Sequence, residues 1–288
     1  MDRTYSSWSL RGWLLFEAFG LPIQTIHTHW PSPEFDVLLK QLAPVRTVPA
    51  LKSDGALLWD SLAIAETLAE RHPDISFWPM ETAARGAARS ITCEMHSGFS
   101  ALRQHCPMNL GRQYANFEPS PDVLADVARA EELWSWARSF GGDGPFLFGD
   151  YSIADVFYTP LASRIDTYGL SVSNTSEKYI EALHQVPAFR RWRAMAKASW
   201  RANPKYEFEL SDRDGWPGEV PLPAKAIENA TAVNSLCPYS GKPIRGDSLA
   251  EISGVVIGYC NQFCRDKTVA DAAAWPKTIE VLNQHRAG

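Results

Sequence analysis

Residues 5–11 read Tyr-Ser-Ser-Trp-Ser-Leu-Arg and stand at the start of a helical pattern. Apolar residues recur there at helical spacing, and Gly20 and Pro22 mark the end of the helix. A hydroxyl at a helix start has two uses. It caps the helix by accepting an unpaired backbone N–H, or it donates a hydrogen bond to an anion, which the same helix end attracts. Capping is the commoner use, so the rest of the chain has to decide between them.

The next residues alternate between short strands and helices. Strand patterns lie at Pro22–His27 and Thr47–Leu51, and Ser32-Pro33-Glu34 opens a helix with a capping serine and a proline in its first turn. Asp54-Gly55 predicts the tight turn of a hairpin. This order predicts a thioredoxin-like α/β domain over residues 1–75. Very few residues precede the first helix, so the first strand is either short or begins upstream of this sequence.

The middle of the chain has a different composition. From Thr82 apolar residues keep a helical period, with one long helix through Leu102, and Ser152 and Asp155 form a capping box before another helix. We therefore expect an all-helical domain over residues 82–202. Prolines and glycines then break the periodicity, which predicts a linker over residues 203–236 and a separate compact segment over residues 237–288.

Composition excludes several classes of function. The 288 residues carry a formal net charge of −5, which argues against a nucleic-acid or anionic-membrane surface. No apolar run approaches the roughly 20 residues that span a bilayer. The five cysteines are an odd number and no secretory leader precedes them, so we expect a reducing, cytoplasmic environment.

Three motifs stand in a fixed order: Ser6-Ser7-x-Ser9-x-Arg11, Val48-Pro49-x-Leu51 and Asp60-Ser61. In this order and at this spacing they resemble the cytosolic glutathione transferases, and the first motif is most similar to the serine-type, zeta-like members. The resemblance covers about residues 1–200. It implies a homodimer that ionises the thiol of glutathione for attack on a small electrophile, by conjugation or by glutathione-dependent isomerisation.

The resemblance assigns roles to the first motif. Ser6 donates a hydrogen bond to the glutathione sulfur, with Ser7 as the second choice and Ser9 as the third. Tyr5 stays open as a further donor. Arg11 either adds positive potential near the sulfur or covers the helix with its apolar stem.

The other two motifs hold the rest of the tripeptide by the same resemblance. Val48 pairs with the cysteinyl backbone as in strand addition, next to a cis Pro49. Ser61 and the helix start bind the γ-glutamyl carboxylate, and Asp60 pairs with the ligand's amino group. For both residues of this last motif, simple helix capping is the alternative.

The electrophile pocket is expected between the two domains, along the long helix that begins at Thr82. Met95, His96 and Phe99 are the candidates, although a stripe of this kind more often belongs to a hydrophobic core. Cys93 and Cys106 are expected to be core thiols.

The end segment carries the remaining cysteines in the pattern C-x22-C-x3-C, at Cys237, Cys260 and Cys264. It resembles the small metal-binding modules called TRASH or YHS domains, with Ser240 where some members place another cysteine. Three thiolates suit Zn²⁺ or another soft metal. The fourth ligand stays open between Asp271, His285 and water, and packing of three reduced cysteines without metal is the alternative. A second function is therefore a non-enzymatic protein of the same fold that binds or senses a metal.

Overall fold

A computed structural model of the protein describes residues 2–213 and 222–287. The chain divides into two compact units. One comprises Met1–Val186 with Ala202–Gly218, and the other comprises Pro187–Arg201 with Glu219–Gly288. The expected linker residues Gly215, Pro217, Gly218 and Pro221 lie outside the described residues.

The first unit begins with the predicted α/β region, which contains α1 (Ser7–Glu17), α2 (Pro33–Gln41), β1 (Ala50–Ser53), β2 (Ala56–Trp59) and α3 (Ser61–Arg71). Ser32 caps α2 by accepting the Phe35 N–H at 3.2 Å, as the sequence predicts. The hairpin is also confirmed: Ser53 pairs with Ala56, and Asp54 and Gly55 both have positive φ, as a type I′ turn requires.

The strand predicted at Pro22–His27 is not formed, and the next strand is shifted from Thr47–Leu51 to Ala50–Ser53. A strand is held by a ladder of hydrogen bonds to a neighbour, and β1 pairs only with β2 among the described residues. Ile23 and Ile26 are accordingly exposed, at 37% and 68% of their surface.

The helices of the same unit follow, at α4 (Thr82–Ser97), α5 (Ser100–His105), α6 (Pro121–Arg138), α7 (Ile153–Tyr168) and α8 (Asn174–Gln185). α7 is the central helix and packs against α1 and α4. Its predicted capping box is confirmed, since Ser152 donates its N–H and its hydroxyl to Asp155 at 2.8 and 2.9 Å. The helix predicted to continue through Leu102 is broken, because Phe99 adopts φ 57° between α4 and α5.

The second unit contains α9 (Pro187–Ala198), β3 (Ala224–Ile227), β4 (Leu249–Ile252), β5 (Val255–Gly258), α10 (Gln262–Ala270) and α11 (Pro276–Ala287). The three strands form an antiparallel sheet in the order β3-β4-β5. Two features differ from the expected boundaries. First, β3 lies inside the stretch 203–236, which was expected to be a linker. Second, α9 was expected in the helical domain of residues 82–202, but it packs against α10, and a two-pronged ion pair between Arg190 and Asp271 at 2.8 Å joins the two helices.

None of the helices in the described parts of the chain has the length and apolar character needed to cross a membrane.

Candidate functional site

The start of α1 is held by the serines of the first motif. Ser6 is the N-cap residue; its Oγ accepts the Ser9 N–H at 3.2 Å and donates to the Ser9 hydroxyl at 3.1 Å. Ser6 and Ser7 are buried, and the Ser7 hydroxyl has no hydrogen bond within the described residues. The Ser6 O–H proton is directed to the Ser9 hydroxyl, and rotation about its C–O bond would redirect it to an anion at the helix end.

Tyr5 is committed elsewhere. Its hydroxyl donates to the Glu207 carboxylate and accepts the Asn203 N–H at 3.2 Å, and its ring stacks on Tyr206 with centroids 5.3 Å apart. These contacts tie Tyr5 to the segment that follows residue 202, so this hydroxyl is not directed to the site at the start of α1.

The second motif lies against α1. The Val48–Pro49 peptide bond is cis. A Cβ placed on Gly12 of α1 would come within 2.6 Å of the Pro49 Cβ, so only glycine permits this approach of the helix to the proline. The N–H and C=O of Val48 form no backbone hydrogen bond within the described residues. Val48 thus offers an open backbone edge next to α1 for an added peptide strand.

The third motif begins α3, which also packs against α1. Asp60 caps α3, with its Oδ1 accepting the Leu62 N–H at 2.7 Å. Ser61 is fully buried, and its hydroxyl has no partner within the described part of the chain. A buried hydroxyl without a partner is costly, so Ser61 is a candidate to hydrogen-bond a ligand at this helix start.

His96 connects α4 to both helix starts. Its Nε2 lies 3.2 Å from Asp60 Oδ2, and its ring meets the Trp8 ring edge-on with centroids 5.4 Å apart. Burial lowers the pKa of His96, an effect that the Asp60 carboxylate opposes and the nearby Arg11 and Arg103 reinforce. The structure therefore brings two sequence candidates, Asp60 and His96, into direct contact.

Arg11 is a buried cation on α1. It is 0% exposed, its Nη2 lies 3.3 Å from the Met95 sulfur, and its guanidinium lies 4.7 Å from the centre of the Trp8 ring. Its Nε and Nη1 have no partner within the described residues. Burial, together with the like charges of Arg103 and Arg164, lowers the pKa of Arg11 to about 9. An anion at the start of α1 would offset this charge.

The two apolar pocket candidates lie in the helical core. Met95 is 0% exposed, and Phe99 is 5% exposed and packs edge-on against Tyr158. Cys106 is buried as expected, whereas the prediction for Cys93 is wrong, because this thiol is exposed on α4.

The three cysteines of the second unit form a cluster. The sulfurs of Cys237, Cys260 and Cys264 all lie within 4.8 Å of one another, and those of Cys260 and Cys264 are 4.0 Å apart. A metal–sulfur bond of about 2.3 Å puts sulfurs about 3.8–4.0 Å apart around one ion. The cluster therefore fits a thiolate-bound metal after shifts of less than about an ångström.

Local electrostatics favour ionisation of one of these thiols. Burial opposes the charge on Cys237, but hydrogen bonds from the backbone N–H groups of Cys260, Ser240 and Tyr239 outweigh it and lower the pKa of Cys237 to about 7. Burial and the neighbouring Cys237 raise the pKa of Cys264 to about 12. A bound cation would be needed to ionise all three together.

Comparison with known proteins identifies the first part of the chain. The family model described as glutathione S-transferase, N-terminal domain, matches residues 5–71. This range holds all three motifs of the site. Residues 5–71 are therefore similar to the N-terminal domain of glutathione S-transferases. Together with the helices that follow it, this region has the fold of glutathione S-transferases, a thioredoxin-like domain followed by an all-helical one.

Individual relatives extend the similarity beyond that domain. A probable maleylacetoacetate isomerase of Caenorhabditis elegans is 28% identical over 193 residues, which is 65% of this chain and 87% of the relative. A stringent starvation protein A homolog of Pasteurella multocida is 26% identical over 147 residues, covering 50% of this chain and 64% of the relative. Relatives of the glutathione S-transferase domain therefore carry more than one name.

A solved structure supports the fold. The crystal structure of a glutathione transferase homolog from Burkholderia GL BGR1, with bound glutathione, has a TM-score of 0.50 and 22% identity; the match covers 67% of this chain and 94% of that one. At this identity the likeness concerns the fold of the glutathione S-transferase region.

Sequence reasoning missed two residues around the site. Trp8 occupies the variable position of the first motif but contacts His96 and two arginines, Arg11 and Arg103. Glu207 lies in a stretch expected to be a linker. An aromatic residue inside a helix-start motif is a signal for Trp8; nothing in the sequence marks Glu207.

Proposed function

We propose that this protein is a glutathione transferase that binds glutathione in the domain of residues 5–71 and presents its thiolate to a small electrophile. The observation that carries the proposal is the contact of three elements: α1 packs against Pro49 through Gly12 and against α3. This brings the helix start at Ser6, the open edge at Val48 and the helix start at Ser61 into one region of one compact unit.

Each element has a task in this proposal. Val48 pairs with the cysteinyl backbone of the tripeptide. The N–H groups at the start of α3, with the Ser61 hydroxyl, hold the γ-glutamyl carboxylate, and the half-exposed Asp60 carboxylate pairs with its ammonium group.

The sulfur is then placed at the start of α1. Ser6 donates its O–H proton to the sulfur, with Ser7 as the second candidate. The positive end of α1 and the buried charge of Arg11 lower the pKa of the thiol from its free value of about 8.5. A drop of about two units makes most of the bound thiol a thiolate near pH 7. The cosubstrate thus supplies the nucleophile, and the protein ionises it.

Two reactions use such a thiolate. In conjugation, the sulfur forms a bond to the electrophilic carbon and a leaving group departs with its electron pair. In isomerisation, the sulfur adds to an activated cis double bond, the resulting single bond rotates, and elimination of the sulfur restores the double bond as trans and the thiolate. The isomerase name of the nematode relative favours the second reaction.

The test has two stages. Glutathione binding is measured by calorimetry, and turnover is then measured with a chloronitrobenzene and with a cis-configured unsaturated diketo acid. Ser6→Ala is expected to retain binding and lose turnover. Turnover by neither reaction in the wild-type protein would contradict the proposal.

We also propose a homodimer in a reducing cytoplasm, which equilibrium sedimentation and localisation of a tagged chain would test.

A second function is supported by the sulfur cluster of the second unit. We propose that Cys237, Cys260 and Cys264 bind a thiophilic metal ion, of which Zn²⁺ is one, in the manner of the TRASH and YHS modules. When bound, such an ion crosslinks the loop before β4 to the start of α10. Metal analysis of the purified chain tests this: one equivalent, lost in Cys260→Ser, is the expected result, and no retained metal after supplying thiophilic ions would contradict it.

A further inference from the structure

Ser240 occupies a defined place beside the sulfur cluster. Its hydroxyl donates to the Cys260 sulfur at 3.2 Å and accepts the Lys242 N–H at 3.3 Å. The turn that carries it is closed by hydrogen bonds from Gly241 N–H to the Cys237 carbonyl and from Cys237 N–H to the Lys242 carbonyl, at 2.9 and 2.8 Å. The hydroxyl is thus held next to a sulfur, where it acts as a donor.

The Cys260 sulfur receives a second hydrogen bond. The Asn261 side-chain amide donates to it at 3.3 Å, while the Asn261 oxygen caps α10 by accepting the Cys264 N–H at 2.8 Å. Two donors on one sulfur stabilise a thiolate and orient its remaining lone pairs. The Ser240 and Asn261 side chains therefore both act as hydrogen-bond donors to the Cys260 sulfur.

No fourth side chain completes the cluster among residues 2–213 and 222–287: the group of His, Cys, Asp and Glu ligand atoms at this place contains the three cysteines alone. Asp271, a candidate from the sequence, has both carboxylate oxygens engaged by Arg190 at 2.8 Å. Structural zinc sites are almost always tetrahedral with four protein ligands. Thiolates select both Cu(I) and Zn²⁺. Three thiolates without a fourth ligand suit Cu(I), because this ion is stable in a three-coordinate, trigonal arrangement.

We propose that the second unit holds a three-thiolate site selective for Cu(I) over Zn²⁺, and that Ser240 sets this selectivity by placing a hydrogen-bond donor where a zinc site would have a fourth ligand. The inference rests on the metal-binding function proposed above and specifies its ion and its coordination number.

The experiment uses the full-length chain, reduced and free of metal, under anaerobic conditions. Cu(I) affinity is measured by competition with bicinchoninate, and Zn²⁺ affinity by competition with a chromophoric chelator. The variants are Ser240→Cys, Ser240→Ala and Cys260→Ser. Cys93→Ser is the matched control, because Cys93 is an exposed thiol on α4 outside the cluster.

The expected wild-type result is one tightly bound Cu(I) and weak binding of Zn²⁺. Ser240→Cys should raise Zn²⁺ affinity at least about tenfold by supplying the fourth thiolate. Ser240→Ala should lower Cu(I) affinity by about tenfold, the usual effect of losing a supporting hydrogen bond. Cys260→Ser should abolish tight Cu(I) binding, and Cys93→Ser should bind as the wild type does.

Two results would overturn the inference in different ways. If the wild type binds Zn²⁺ as tightly as Ser240→Cys does, the site binds metal but Ser240 does not select the ion. If the wild type binds neither Cu(I) nor Zn²⁺, or if Cys93→Ser loses as much affinity as Cys260→Ser, the metal-binding function itself fails.

Discussion

At the scale of single residues, Arg11 and Arg164 are two buried arginines in opposite situations. Arg164 donates to the carbonyls of Cys106 and Pro160 at 2.9 Å. Arg11 has two nitrogens without partners in the described structure. A buried charge that is incompletely paired reduces the stability of the folded state. Arg11 therefore lowers the stability of the ligand-free protein, and a bound anion would offset this loss. Such behaviour is expected of a residue that binds an anionic ligand.

Arg11→Met tests this role. The variant is expected to increase the free energy of unfolding of the ligand-free protein by about 1 kcal/mol and to raise the pKa of bound glutathione by about one unit. Denaturant unfolding and thiol titration measure the two quantities. Arg164→Met is the matched control: it removes the hydrogen bond to the buried Cys106 carbonyl, so it should lower stability. A destabilised Arg11→Met with an unchanged thiol pKa would show a purely structural arginine.

Tyr5→Phe tests whether the hydroxyl of Tyr5, and not that of a serine, donates to the glutathione sulfur. The hydroxyl of Tyr5 is engaged by Glu207 and Asn203, so its removal should cost about 1 kcal/mol of stability and leave the pKa of bound glutathione unchanged. A thiol pKa that rises in Tyr5→Phe would transfer the sulfur-binding role from Ser6 to Tyr5.

At the scale of elements, the approach of α1 to the cis proline depends on Gly12. Gly12→Ala puts a methyl group 2.6 Å from the Pro49 Cβ, so one element has to move. We expect a loss of about 1–3 kcal/mol in stability and a weaker affinity for glutathione, measured by calorimetry.

Gly86→Ala is the matched control for that substitution. Gly86 lies in α4 with nothing within 4 Å of an added Cβ, so alanine should increase stability by about 0.5–1 kcal/mol through helix propensity. Equal effects of the two substitutions, or full glutathione affinity in Gly12→Ala, would contradict the proposed contact.

Elements defined by neighbouring residues were predictable from the sequence. The α2 cap at Ser32, the Asp54-Gly55 turn and the Ser152–Asp155 capping box follow from local chemistry alone. The absence of a strand at Pro22–His27 was not predictable, because a strand forms only beside a partner strand and a local sequence pattern does not show whether that partner is present. The break at Phe99 was also invisible, since its left-handed φ interrupts an unbroken apolar period.

The candidate site likewise has features that the sequence predicts and features that it does not. The motifs placed Ser6, Pro49 and Ser61 at the right element ends, since each stands at a helix start or before a strand. The contact of His96 with Asp60 depends on how α4 packs against α3, which no local pattern encodes. The burial of Met95 and Phe99 in the core also depends on how the helices pack.

At the scale of the whole molecule, the segment after residue 202 is part of the first unit. Glu207 accepts hydrogen bonds from Asn109 and Tyr114 at 3.1 Å and pairs with Arg112 at 3.3 Å, in addition to its contact with Tyr5. These contacts join a distant stretch of sequence to the residue that precedes Ser6.

Glu207→Ala tests that connection. The substitution removes the acceptor of four groups, and we expect a loss of at least about 2 kcal/mol in the free energy of unfolding. Glu209→Ala is the matched control, since Glu209 is exposed two residues away; its effect should stay within about 0.5 kcal/mol. Denaturant midpoints measure both, and equal values would show that the contacts of Glu207 do not stabilise the unit.

The most direct test of the central claim is the pKa of the glutathione thiol bound to this protein, titrated by the ultraviolet absorbance of the thiolate. The wild type should give a pKa about two units below the free value of about 8.5, and Ser6→Ala should return it most of the way. Ser120→Ala removes a cap of the same type from α6 and should leave the value unchanged. A wild-type thiol that titrates as free glutathione does, or a Ser6→Ala value equal to that of the wild type, would contradict the account.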